Sequence, residues 1–126
     1  MCGRPQRILI VDDDPDILVN LSDILSDIGF EIETASDCFD ALKRLGEITE
    51  DDAFDLCLLD FKMPGMDGVE LLNRIRVKHP EMRAIMITAF AGDDGVQRAL
   101  EAGTQKVLRK PVDVGLLLGT INEAVA

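Results

Sequence analysis

Tryptophan and tyrosine are absent, and the five phenylalanines are the only aromatic residues in 126 positions. The core must therefore be aliphatic, built from Ile, Leu and Val, a composition that suits helices packed on a parallel sheet with both faces buried. Positive charge is also scarce, 13 basic residues against 24 acidic ones, for a formal net charge of −11. Such a surface repels nucleic acid and anionic membranes, so no direct contact with either is expected; basic partner surfaces and cations suit it instead. The three cysteines, Cys2, Cys38 and Cys57, show neither a CxxC pair nor metal-ligand spacing, which argues against a zinc site or a disulfide framework. Cys57 lies inside the run Leu56-Cys57-Leu58-Leu59 and reads as a small core residue. No apolar stretch approaches the length of a membrane span. Met1 to Gln6 lead straight into a strand with no visible signal peptide, so a cytoplasmic location is expected. The single histidine, His79, precedes Pro80 and reads as a helix-end residue.

What is present is an alternation of short apolar runs and amphipathic stretches. Ile8–Val11 is a continuous apolar run, a buried-strand signal. Ile17, Leu21, Ile24, Leu25 and Ile28 follow at helical spacing, and Gly29 stops that helix. Phe30 to Ala35 reads as a second strand, and Cys38, Ala41, Leu42 and Leu45 as a second helix face. An acidic loop, Glu47 to Asp52, leads to a third strand, Phe54 to Asp60. Asp67 and Glu70 stand three apart as an N-capping pair for a third helix. Arg83 to Thr88 is the fourth strand, a helix runs to about Ala102, and Gln105 to Leu108 is a short fifth strand. Asp113 caps a last helix whose inner face is Val114, Leu117, Leu118, Ile121 and Val125. Leu116 falls opposite that face and is expected to be exposed, part of a surface for a partner or a second copy. Strict strand–helix alternation predicts one α/β domain with a doubly wound, five-stranded parallel sheet in the flavodoxin-like order 2-1-3-4-5. The expected organisation is a flexible tail over 1–6 and a single domain over 7–126.

In an open α/β sheet the ligand crevice lies beyond the carboxyl ends of the strands, where the strand order switches. That point falls between strands one and three, which end in Asp12-Asp13 and in Asp60. Neighbouring strands lie ~4.8 Å apart, so these carboxylates repel one another unless a cation or a proton intervenes. Oxygen-only ligation of this kind suits Mg²⁺. Asp14 and Asp16, in contrast, read as the start of the following helix. Thr88 closes strand four and Lys110 follows strand five. A hydroxyl and an ammonium converging on such a site make a cradle for a phosphoryl group.

Over nearly its whole length the sequence resembles the receiver domains of two-component response regulators. Ile8 to Asp14 resembles their first strand and acidic pair, and Leu58 to Gly68 their phosphoacceptor segment and its turn. Ile87-Thr88-Ala89 and Lys110-Pro111 supply the remaining elements in order. The resemblance implies that Asp60 takes a phosphoryl group from a phosphohistidine on a histidine kinase or a histidine phosphotransfer protein. It implies that Asp12, Asp13, Asp60 and the Lys62 backbone carbonyl place Mg²⁺ (or Mn²⁺), while Thr88 and Lys110 contact the phosphoryl oxygens. Such a chain catalyses only its own phosphorylation and dephosphorylation, and passes the signal to a target protein or output domain, with phosphorylation-dependent homodimers among the expected outcomes. Lys62 and Phe90 would border the path of hydrolytic water. The Lys110–Pro111 bond is expected to be cis, because Lys110 must turn back toward Asp60. One position departs from the family: Val107 stands where an aromatic residue usually changes position, so the signal is expected to pass through Thr88 and the loop from Ala89 to Asp94. Two other readings compete, a receiver-like interaction module not controlled by phosphorylation, and an aspartyl-nucleophile phosphatase in which Asp12-Asp13-Asp14 is the signature.

Overall fold

The computed structural model describes residues 6–47, 54–63, 65–89, 93–104 and 106–125. Five strands, β1 (Arg7–Val11), β2 (Glu31–Ala35), β3 (Leu56–Asp60), β4 (Ala84–Thr88) and β5 (Lys106–Arg109), alternate with helices α1 (Pro15–Ile28), α2 (Cys38–Glu47), α3 (Gly68–Lys78), α4 (Asp93–Glu101) and α5 (Val114–Val125). All strand pairs are parallel, in the order β2-β1-β3-β4-β5. This is the expected order. Gln6, the one described residue of the expected tail, accepts the Glu31 N–H on its carbonyl at 2.9 Å, alongside the β1–β2 ladder. Positions 1–5, most of the acidic loop and Gln105 lie outside the described residues.

The apolar runs explain the layering. Successive strand residues point to opposite faces, and here both faces are covered. Leu9, Val11, Cys57, Leu59, Ala84 and Met86 bury themselves with Cys38, Ala41 and Leu45 of α2, Leu72 and Ile75 of α3 and Ala99 of α4. Their alternates Ile8, Ile10, Leu56, Leu58, Ile85 and Ile87 pack with Leu18, Leu21 and Leu25 of α1 and Leu117, Ile121 and Ala124 of α5. Burial pushes the Cys57 thiol up to about 12, which fits a core residue and not a reactive one.

Local signals set the helix ends. Asp14 caps α1 by accepting from the Asp16 N–H, and Asp67 caps α3 by accepting from the Glu70 N–H. Asp113 does the same for α5 through the Leu116 N–H at 3.1 Å. Leu116 is indeed exposed. At the end of α1, Gly29 has φ 122°, with its N–H on Ser26 and the Phe30 N–H on Leu25. That Schellman-type closure corrects the expected helix face. Ile28 is half exposed, and Phe30, the residue beyond the glycine, packs on the α1 cluster in its place. Leu18, outside the expected face, is buried as well. His79 is the C-cap of α3.

Gly68 begins α3 against the end of β3. A Cβ there would lie 2.6 Å from the Asp60 carbonyl oxygen and 2.6 Å from Met86 Sδ. The sulfur can move but the backbone oxygen cannot without shifting the strand. Gly68→Ala is therefore expected to destabilise the fold by about 1–3 kcal/mol through overpacking, despite alanine's better helix propensity. A urea midpoint equal to or above that of the parent chain would contradict this.

Candidate functional site

Register brings the chemistry-bearing residues to one end of the sheet. Val11 pairs with Leu59, Asp60 with Ile87, and Thr88 with Arg109. Asp12, Asp60, Thr88 and Lys110 are thus each the last strand residue or the next one along. Asp12 and Asp60 are only 2 % and 5 % exposed, and Thr88 is buried with them. Asp13 faces solvent, yet carboxylate oxygens of Asp12, Asp13 and Asp60 all lie within 4.8 Å of one another. Above them opens a cleft of about 680 Å³ lined by Asp13, Asp14, Pro15, Asp60, Lys62, Met63, Thr88, Ala89 and Lys110.

Two elements aim the lysine. The Lys110 N–H donates to the Thr88 carbonyl at 2.8 Å, extending the β4–β5 pairing by one residue. The Lys110–Pro111 bond is cis, as expected. The ammonium lies 2.8 Å from Asp12 Oδ2 and 3.4 Å from Asp60 Oδ2. It is therefore held between the two buried carboxylates and closer to Asp12, a preference that the sequence did not suggest. Asp12 is itself fixed, accepting the Asp14 N–H on Oδ1 at 2.9 Å.

One ammonium does not balance this group. Burial, followed by repulsion from Asp12, pushes the Asp60 carboxyl up to about 6; the charge and hydrogen bond of Lys110 and the Lys62 N–H offset only part of that. Burial also works against the Lys110 charge, but the hydrogen bond to Asp12 and attraction to both carboxylates outweigh it and raise its pKa. An excess of buried negative charge with clustered oxygen donors fits a small, hard divalent cation. Lys110 alone therefore compensates Asp60 only in part.

All the sequence-derived site residues whose side chains are described meet here. Lys62 lies on the cleft with its N–H on Asp60. Val107 is half buried against the α2–α4 cluster. Phe90 and positions 91 and 92 of the following loop lie outside the described residues. Gly68 stands immediately after a capping aspartate, and that place is the sequence signal of its close approach to Asp60. Among the described residues no helix is long and apolar enough to cross a membrane.

Comparison with known proteins places this geometry. The family model "Response regulator receiver domain" matches residues 8–122. The response regulator protein PilR of Pseudomonas aeruginosa is 38 % identical over 112 residues, which are 89 % of this chain and 24 % of that protein. The chain thus spans about a quarter of the length of PilR, and 28 % of the transcriptional regulatory protein ZraR of Klebsiella oxytoca, to which it is 34 % identical over its whole length. Sporulation initiation phosphotransferase F of Bacillus subtilis is 36 % identical, with 86 % of this chain and 85 % of that protein aligned. Among solved structures, the CheY-like receiver domain protein from Methanospirillum hungatei superposes with a TM-score of 0.87 at 37 % identity, covering 97 % of this chain and 94 % of its own.

The raised Asp60 pKa has a testable consequence. Ionised Asp60 is disfavoured in the folded state, so the penalty is complete above about pH 6 and is relieved as pH falls from there toward the ordinary carboxylate value of 3.8. Asp60→Asn, which keeps the volume and removes the charge, is expected to stabilise the fold by about 1–3 kcal/mol at pH 7, the gain shrinking between pH 6 and pH 4. Urea unfolding of both chains at pH 7 and pH 5 measures this, and a gain that grows on acidification would contradict it.

Proposed function

Because the chain belongs to the response regulator receiver domain family, we propose that it is a phosphorylation-controlled switch whose phosphoacceptor is Asp60. The observation that carries this reading is the buried Asp60 carboxylate, with Lys110 Nζ 3.4 Å away and two further carboxylates beside it at the mouth of an open cleft. Asp12, Asp13, Asp60 and the Lys62 backbone carbonyl would hold Mg²⁺ or Mn²⁺. When bound, the ion supplies positive charge to the transferring phosphoryl oxygens.

The chain's own residues do the rest by positioning and charge neutralisation. A carboxylate oxygen of Asp60 attacks the phosphorus of a phosphohistidine donor. The Asp60 O–P bond forms as the P–N bond breaks, and the imidazole leaves with the electron pair and takes up a proton. Lys110 exchanges part of its contact with Asp12 and Asp60 for a phosphoryl oxygen, and the Thr88 hydroxyl donates a hydrogen bond to another. Asp12 stays behind as the partner that keeps Lys110 charged and on station. Hydrolysis reverses the state when water attacks the same phosphorus, and the side chain of Lys62, on the cleft, would limit its approach. The donor is a histidine kinase or a histidine phosphotransfer protein, and the readout is altered binding to a target, an output domain or a second copy. The acidic surface favours basic patches on those partners. A cytoplasmic location follows from such partners.

Incubation with Mg²⁺ and a small phosphodonor is expected to add the mass of one phosphoryl group to the intact chain. Asp60→Asn and chelation of the metal should each abolish it. Equal labelling of the Asn variant would overturn the assignment of Asp60, and labelling that survives chelation would overturn the role of the metal.

A further inference from the structure

Arg98 of α4 makes two contacts that the phosphoacceptor chemistry does not use. Its Nη1 lies 3.0 Å from Asp67 Oδ2, and its guanidinium carbon is 5.9 Å from the centroid of the Phe61 ring, within cation–π range. Phe61 and Asp67 are the two ends of the segment joining β3 to α3. Those ends also close on one another. The Gly68 N–H donates to the Phe61 carbonyl at 2.7 Å, while Asp67 Oδ1 accepts the Glu70 N–H at 2.8 Å. The two ends of the segment are therefore joined, with a guanidinium against both. Lys62, its second residue, gives its backbone N–H to the Asp60 carboxylate.

We propose that Arg98 is a positioning residue: by holding Phe61 and Asp67 together it fixes the Lys62 backbone beside Asp60 and so sets the affinity of the carboxylate cluster for a divalent cation. The inference rests on the phosphoacceptor reading above and adds to it a regulator of the same site. Arg98 touches none of the carboxylates in the cluster and acts only through the loop. Linkage makes the effect reciprocal: a cation bound at Asp12, Asp13 and Asp60 tightens α4 on α3. The C-terminal end of α4 is already pinned there, because Arg76 of α3 donates to the carbonyls of Ala102 and Gly103 as well as Met82. A path from Asp60 to α4 therefore exists that does not pass through position 107. The Arg98 and Asp67 side chains are 52 % and 29 % exposed, so their pairing contributes little to global stability, and its influence belongs in the ligand affinity.

The test is calorimetric titration of the full chain with Mg²⁺ alone, comparing the parent with Arg98→Ala, Asp67→Asn and the double variant. Asparagine keeps an oxygen to cap α3 while removing the ion pair. Each single change is expected to weaken Mg²⁺ binding about two- to fivefold, and the double variant no further than Arg98→Ala alone, because both changes remove the same ion pair. Arg98→Lys, which restores the charge without the planar group, should recover part of the loss. Without metal, the Gly68 amide should exchange with solvent faster in Arg98→Ala. Addition of Mg²⁺ should slow exchange in α4 of the parent but not of that variant. Unchanged Mg²⁺ affinity in both single variants, or losses that multiply in the double, overturns the inference and leaves the phosphoacceptor reading standing. A parent chain that binds no Mg²⁺ overturns both.

Discussion

Two buried carboxylates, Asp12 and Asp60, share the ammonium of Lys110, and the rest of the site is arranged around the negative charge left over. A buried ion pair gains little when the cost of desolvation is counted, and here a second carboxylate adds repulsion. The arrangement makes sense as a poised state. Lys110 leans toward Asp12, leaving Asp60 the less compensated of the two. The group proposed as nucleophile is thus the one less committed to an existing partner. On that reading a transferred phosphoryl group would bring more negative charge into the same space, with Lys110 already within reach of it.

The sheet is what makes this crowding possible. Parallel strands deliver their carboxyl ends to one edge, and the switch in strand order parts the helices there. The tight joint between β3 and α3, with Gly68 against the Asp60 carbonyl, removes slack behind the acceptor. Two arginines then tie both ends of α3 to the C-terminal end of α4. Asp60 is thereby fixed on its β3–α3 side.

Much of this was legible in the chain. The continuous run Ile8–Val11 and the all-apolar Leu56–Leu59 announced strands buried on both faces, and the strict alternation with helices left few sheet orders. Asp12, Asp13, Asp60, Thr88 and Lys110 could be found because each sits at or just past a strand end, where topology alone decides what meets. Capping residues such as Asp67 could be found because their partners lie three residues away. What escaped was of another kind. The pull of Lys110 toward Asp12 depends on distances of about half an ångström, which no pattern encodes. Arg76 and Arg98 reach partners 26 to 31 positions distant with no periodic signature. Ile28 obeyed the helical spacing and was still left half exposed, because the glycine closure brought Phe30 onto that core instead.

The division of the core by the sheet has a further consequence. Alternate positions along each strand feed separate apolar compartments, one roofed by α1 and α5 and the other by α2, α3 and α4. Among the described residues no buried side chain belongs to both clusters, so substitutions on the two sides are expected to combine almost independently. The molecule can therefore be read as a bulkhead with two rooms. Each exterior wall can be rewritten, residue by residue, without repacking the room behind the other. Along the rim, by contrast, Asp12, Asp60 and Lys110 touch one another directly, and a sequence drifting toward new partners would meet non-additive costs there.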